Sequence, residues 1–213
     1  MDAPLIASLA AFAVAAFLLT ITPGLDTTLT LRTAASEGPR AALAAVFGIA
    51  LGCVVWASLV ALGLGALLAA SAMAYTVLKW IGAAYLVWLG LQMLLKPRSR
   101  FEIGAPGETA RRRGVAGWFA KGFLTNILNP KVGVFYVSFL PQFIPAGVPV
   151  APMVVGLGVL HAAIGTAWLS LLVLATRPIT RLLRRPAVLK TLDRVTGVVF
   201  VGFGLRLALE RGR

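Results

Sequence analysis

Long apolar runs, each close to the length needed to cross a lipid bilayer, restrict the fold of this chain more than any other feature. A transmembrane helix needs roughly 20 predominantly apolar residues, because the hydrocarbon core of a bilayer is about 30 Å thick. Apolar residues make up 59% of the 213 residues and charged residues only 13%. Soluble domains are usually about 25% charged. The sequence therefore predicts an all-α integral membrane protein with little mass outside the bilayer.

Six segments have the length and composition of transmembrane helices. The first covers about residues 4–22 and continues past a Pro-Gly pair to about residue 35. The other five are predicted at about residues 41–70, 73–95, 118–140, 150–175 and 192–209. Proline removes a backbone donor and crowds the preceding turn of a helix. The first and fourth spans are therefore predicted to be broken at Pro23 and Pro130. For Pro23, a simple kink packed by neighbouring helices is the alternative.

The basic residues lie in every second connection between these spans. Of the 20 Lys and Arg residues, 15 lie at residues 32–40, 96–121 and 177–194, and the turns near 70–74 and 141–149 contain none. Short basic loops stay on the cytoplasmic side, so both termini are predicted to be outside, in the periplasm. A net charge of +13 with this distribution indicates a lipid bilayer as partner and does not indicate nucleic acid.

The polar segment at residues 96–117, predicted to be a basic cytoplasmic linker, divides the chain into two halves, 1–95 and 118–213. Related motifs recur in the same order: "TPG" and "NPK", "VFGIALG" and "VVGLGVL", "KWIGAAYLVW" and "RVTGVVFVGF". Three spans is an odd number, so the second half would cross the membrane upside down. This pattern predicts two inverted three-helix repeats, a recurrent plan of secondary transporters. Chance similarity between apolar helices is the alternative.

Polar residues near the two proline motifs are the candidate functional residues. A charge at the centre of a bilayer costs at least about 2.5–3.5 kcal/mol, so it should face a cavity or a partner. Asp26 would lie near the N-terminus of a half-helix, where the helix dipole favours a carboxylate. It is predicted to bind a proton, a cation or the ammonium group of a substrate. Simple capping of the half-helix is the alternative.

The second motif, "TNILNPK" at residues 125–131, supplies a cation and two amides. Lys131 is predicted to pair with Asp26 or to bind a carboxylate, with snorkelling to the interface as the alternative. Asn126 and Asn129 share a helix face and would bind freed backbone groups or a polar substrate. The substrate- or ion-binding set predicted from these residues is Pro23, Gly24, Asp26, Thr27, Asn126, Asn129, Pro130, Lys131 and Lys79. For Lys79, snorkelling at the outer end of its span is the alternative.

The sequence does not indicate catalysis, a cofactor or a metal site. It has one histidine and one cysteine, no paired acids within a span, and no phosphate-binding loop. The chain is therefore predicted not to be an enzyme. His161 is expected to be a packed bundle residue, with a proton relay as the alternative.

Together these motifs resemble the lysine exporter and homoserine–threonine exporter family of amino-acid translocators, the LysE type. The resemblance rests on "TPGLDTTLTLRTA", "GIALG", "LKWIGAAYLVWLGLQML" and "GFLTNILNPKVGVFYVSFLPQF", and covers essentially the whole chain. It implies six transmembrane helices in two inverted halves, and it adds Tyr85 of the third-span motif to the predicted substrate- or ion-binding residues. It also implies export of amino acids or their derivatives across the bacterial inner membrane, driven by an ion gradient, with protons as the expected coupling ion.

Two positions depart from the family pattern. Leu25 stands where the family often has a second proline, which would make the break gentler. Trp56 stands where relatives often have a smaller or polar residue, which bears on the size of the substrate pocket.

The leading hypothesis is therefore an amino-acid exporter that works by alternating access, with its substrate between the two broken helices. An inorganic cation carrier and a non-transporting membrane assembly factor are the alternatives. The substrate, the coupling ion and the oligomeric state stay open, and a homodimer is one arrangement compatible with the sequence.

Overall fold

Helices form the whole architecture in the part of the chain that the structure describes. The computed structural model describes residues 3–70, 72–98, 114–145, 147–183 and 185–209. Within them are nine α-helices: α1 Ala3–Ile21, α2 Leu25–Ser36, α3 Pro39–Ala70, α4 Ala72–Leu95, α5 Val115–Ile127, α6 Pro130–Phe139, α7 Val150–Leu174, α8 Thr176–Leu183 and α9 Pro186–Leu209. A short 3-10 helix, Leu140–Phe143, follows α6. These residues are all-helical, as predicted.

Among the described residues, two helices are long and apolar enough to cross a bilayer by length and composition alone. They are α7 and the Pro39–Gly63 part of α3. The bent pair α1–α2, whose halves meet at 53°, would be a third span, and Trp80–Leu95 of α4 is a shorter apolar helix. The sequence predicted six spans. Fewer helices meet the length and composition criterion, because α5 and α6 are short on either side of a break. The start of α9 also carries the charged residues Lys190, Asp193 and Arg194.

Both helix breaks occur at the predicted motifs. α1 ends at Ile21 and α2 begins at Leu25, so Pro23 and Gly24 lie in the first break. In the second break, Pro130 is the first residue of α6, where the missing N–H of proline costs no helical hydrogen bond. The side chain of Asn129 caps α6 by accepting the backbone N–H of Lys131 at 3.1 Å. Each motif therefore ends one helix and starts the next.

Close contacts at glycine hold the helices together. α3 packs against α5 and α7, and α4 packs against α9. At the α3–α5 crossing, a Cβ on Gly48 would collide with the carbonyl of Phe119, and a Cβ on Gly122 would collide with the carbonyl of Ala45. Small residues allow this close approach of backbones and are typical of helix interfaces in membranes. The α3–α5 crossing joins the two halves of the chain.

Some helix boundaries differ from those predicted. α5 begins at Val115, inside the predicted linker and before the predicted start of its span at residue 118. α9 begins at Pro186, before residue 192, and α8 occupies part of the predicted fifth connection. Leu183 of α8 is buried against the core that contains α2 and α3, whereas Arg181 is exposed. α8 was missed because a short amphipathic helix has no run of apolar residues.

The α3–α5 contact predicts that Gly122→Ala destabilises the protein. The added Cβ would meet the backbone of Ala45, which cannot rotate away, and overpacking costs about 1–3 kcal/mol of unfolding free energy. Thermal unfolding of the detergent-solubilised protein measures this loss. Gly202→Ala in α9 is the control, because a Cβ there meets nothing within 4 Å. Equal melting temperatures for the two variants would contradict the prediction.

Candidate functional site

A small cavity with several polar residues in its wall, the inner cavity, lies where the two helix breaks meet. Its volume is about 50 Å³. That is room for about three or four water molecules, since each needs roughly 10–15 Å³. Its walls come from both halves of the chain. Its polar lining residues are Thr20, Thr22, Asp26, Thr27, Cys53, Asn126, Asn129, Lys131 and His161.

Asp26, in the first turn of α2, faces the inner cavity and contacts the second half of the chain. Its Oδ2 accepts a 2.9 Å hydrogen bond from Nδ2 of Asn126 at the end of α5. The same Nδ2 lies 3.6 Å from Sγ of Cys53 on α3. Oδ1 of Asp26 is buried and has no hydrogen-bond partner within the described part of the chain. One carboxylate oxygen is therefore left without a hydrogen-bond partner among the described residues in this conformation.

Gly52 of α3 allows Asn126 to occupy this position. A Cβ on Gly52 would lie 2.5 Å from Oδ1 of Asn126, closer than packed side chains approach. A larger residue would push the amide away from Asp26. The "GIALG" motif, which ends at Gly52, thus contributes to the site as well as to helix packing.

Lys131, which follows the second break, binds the end of α1. Its Nζ donates 2.9 Å hydrogen bonds to the carbonyl oxygens of Leu19 and Thr22. The last carbonyls of a helix have no partner within it, and the helix dipole favours a cation there. Lys131 and Asp26 line the same cavity but do not form an ion pair, since Lys131 uses these bonds on the backbone instead.

Three other predicted residues lie at the same cavity. Thr27 and Asn129 are buried in its wall, and Gly24 lies opposite the Lys131 side chain. A Cβ on Gly24 would lie 3.7 Å from Nζ of Lys131. The structure thus brings the two proline motifs together around one space.

Tyr85, one of the two residues predicted from the third span, does not line the inner cavity. Tyr85 and Pro130 line a separate, mainly apolar cavity of about 380 Å³. Trp56 lies in that cavity too, against Gly133, so it does not narrow the inner cavity. Lys79 belongs to α4, but its side chain lies outside the residues that the structure describes.

His161 of α7 is buried and lines the inner cavity. Its Nδ1 lies 3.0 Å from the hydroxyl of Tyr136 on α6, and its ring packs against Phe135. His161 therefore has both a packed ring and access to the polar space.

An ion pair next to the first break was missed from the sequence. Nη2 of Arg98 donates to Oδ1 of Asp193 at 2.6 Å. Nε and the backbone N–H of Arg98 donate to Oδ2 of Asp193 at 3.0 and 2.8 Å. Nη1 also donates to the carbonyl of Pro23. Both charged residues occur in segments whose composition predicts solvated connections. Asp193 is the single acidic residue at 177–194, and this isolation is the signal that could have indicated a partner.

A second polar cavity, the vestibule, lies beside this ion pair. Its volume is about 360 Å³, and its lining includes Gln92, Lys96, Arg98 and Asp193. It shares four residues with the inner cavity, and we call these the partition: Thr22, Gly24, Asn129 and Lys131. The vestibule is at the end of α4 and the start of α9, beside two of the connections predicted to be cytoplasmic.

A helical membrane protein with two broken helices around a shared polar cavity has the architecture of a membrane translocator. The chain belongs to the LysE type translocator family, whose model matches residues 17–211. This confirms the family suggested by the motifs.

Three relatives cover nearly the full chain. The chain is 34% identical to an uncharacterized membrane protein of Vibrio cholerae, over 94% of this chain and 96% of that protein. It is 30% identical to the homoserine/homoserine lactone efflux protein of Salmonella typhimurium, over 94% and 96%. It is also 30% identical to the threonine efflux protein of Escherichia coli K12, over 90% and 92%. No solved structure matches the chain.

The contacts of Lys131 predict that Lys131→Met lowers stability. Without the ammonium group, two carbonyls at the end of α1 lose their partner, and a buried unsatisfied group costs about 1–3 kcal/mol. Thermal unfolding in detergent measures the loss. Lys190→Met, which removes an exposed lysine of α9, is the control and should unfold near the wild-type temperature. The capping role of Lys131 is excluded if Lys131→Met also unfolds near the wild-type temperature.

Proposed function

We propose that the protein is a secondary active transporter that exports small amino acids or their derivatives across the bacterial inner membrane, coupled to the proton gradient. The observation that carries the proposal is the inner cavity, where a carboxylate and an ammonium group from the two breaks face one space. The relatives support the substrate class, since one is named for homoserine and homoserine lactone efflux and another for threonine efflux.

The two charges match the two ends of a zwitterionic amino acid. Oδ1 of Asp26 is free to accept the substrate ammonium group. An ammonium group has three donors, and Lys131 uses two of them on backbone carbonyls, which leaves one for the substrate carboxylate. The first N–H groups of α2 also lack helical partners and favour an anion. Each end of the substrate therefore has a bonding position.

The size of the inner cavity indicates that this conformation is closed to substrate. About 50 Å³ holds a few waters, whereas an amino acid such as threonine has eight non-hydrogen atoms. Alternating access would open the cavity to one side at a time, by movement of one half against the other. The vestibule is the side from which it would open to the cytoplasm.

The proposal includes six spans arranged as two inverted repeats, with both termini in the periplasm. The packing between helices supports the repeat. In the predicted repeat, α3 corresponds to α7 and α1 corresponds to α5. α3 of the first half packs on α5 of the second half, and α7 of the second half packs on α1 of the first half. A two-fold axis between the halves requires this exchange. The orientation rests on the basic connections.

The charge balance of the inner cavity favours this function over the alternatives. A carrier of inorganic cations would place several acidic or sulfur ligands together, whereas Asp26 shares its cavity with the cation Lys131. An assembly factor that only held other proteins would have no use for opposite charges around an enclosed space. A zwitterion uses both charges.

Transport assays test the site directly. Asp26→Asn is nearly isosteric but removes the charge that would hold the substrate ammonium, and Lys131→Ala removes the charge that would hold the carboxylate. Each is expected to reduce transport by about tenfold or more, since a charge-assisted hydrogen bond contributes about 1.5–3 kcal/mol. Radiolabelled threonine, homoserine, homoserine lactone and lysine are followed in proteoliposomes with an imposed pH gradient.

The matched control is Glu37→Gln, which removes an exposed carboxylate at the end of α2 and should transport normally. The proposed site is wrong if both site variants keep wild-type rates. The proposed function is wrong if the wild-type protein moves none of these substrates. Proton coupling is wrong if collapse of the pH gradient leaves the rate unchanged.

A further inference from the structure

We propose that Arg98 and Asp193 form the cytoplasmic gate of the inner cavity, and that this gate is closed in the present structure. The inference rests on the proposed transport function, because only a chain with alternating access uses such a gate. The pair joins three separate parts of the molecule: the start of the 96–117 segment, α9 and the first helix break.

The Arg98–Asp193 pair holds the part of the partition that belongs to the first helix break. Arg98 donates to the carbonyl of Pro23, and Pro23 lies between Thr22 and Gly24, two of the four partition residues. The inner cavity lies on one side of these residues, and the vestibule lies on the other. Any movement of the first break that joins the two cavities must therefore carry Pro23 away from Arg98 or take Arg98 with it.

A second contact fastens the same break to the same face of α9. Oγ1 of Thr22 lies 2.6 Å from Oγ1 of Thr196, and both side chains are buried. Thr196 and Asp193 are three residues apart, so they share one face of α9. This face of α9 thus contacts Thr22 directly through Thr196 and is linked to Pro23 through the Arg98–Asp193 pair.

Arg98 is the partner that can move. Its side chain is 42% exposed, whereas that of Asp193 is only 2% exposed. Arg98 also follows the end of α4 at Leu95 and is not part of a helix, while Asp193 is fixed within α9. A buried charge that loses its partner is strongly destabilising, so the closed arrangement is favoured until Arg98 is replaced by water or another cation. Opening is therefore a displacement of residues 96–98 from α9.

The native cysteine gives a test that does not depend on transport. Cys53 is the one cysteine in the 213 residues, it is buried, and it lines the inner cavity. A charged, membrane-impermeant methanethiosulfonate reaches it from the cytoplasm only when the partition is open. Modification is followed by mass in inverted vesicles, whose cytoplasmic face is outward, and in right-side-out vesicles. Cys53→Ser gives the background.

Loss of the gate should raise the modification rate from the cytoplasmic face alone. Arg98→Gln and the nearly isosteric Asp193→Asn both remove the ion pair and should shift the population towards the open state by about tenfold or more. Arg98→Lys, which keeps the charge but not the fork of donors, should give a smaller increase. Lys190→Gln is the matched control, because it also removes one positive charge, from an exposed position on α9, and should leave the rate unchanged.

Two results would overturn the gate: no increase in either Arg98→Gln or Asp193→Asn, or an equal increase from both faces of the membrane. The outcome is separable from that of the proposed function. If the wild-type protein transports none of the amino acids but the gate variants expose Cys53, only the proposed function fails. If transport occurs and Cys53 stays protected in both variants, only the gate fails.

Discussion

A helix break inside a membrane leaves carbonyl and N–H groups without helical partners, and the bilayer core has no water to bind them. The rest of this structure depends on how that need is met. Lys131 binds the carbonyls of Leu19 and Thr22 at the end of α1, and Arg98 binds the carbonyl of Pro23 in the first break. The start of α6 is capped by Asn129. The first break is therefore stabilised by distant parts of the chain, whereas the second is capped by its own Asn129.

This requirement explains why the charged residues have two kinds of contact. Lys131 binds backbone and also faces the inner cavity, so the group that stabilises the first break is also the cation available to a ligand. Asp26 receives the amide of Asn126 through one oxygen and leaves the other free. In the proposed function, structural and ligand-binding roles are thus divided between the donors and acceptors of a single side chain.

The breaks were predictable from the sequence because proline acts locally, through its own ring and missing N–H. The shared cavity followed from the pairing of the two motifs. The partners of Lys131 were not predictable, since backbone carbonyls occur at every residue and give no signal. The Arg98–Asp193 pair was missed for a different reason: its members are 95 residues apart, and each occurs in a basic segment typical of a loop. Trp56 was linked to the substrate pocket by family pattern alone, and its position in another cavity depends on helix rotation.

The contact between Lys131 and the end of α1 also constrains the order of assembly. Lys131 is 109 residues beyond Thr22, whose carbonyl it binds. When the first half of the chain is inserted during synthesis, the lysine that binds this carbonyl has not yet been synthesised. The first half therefore lacks one of its own stabilising contacts until the second proline motif has been synthesised. Although each half has its own three predicted spans, the end of α1 is completed only by the other half.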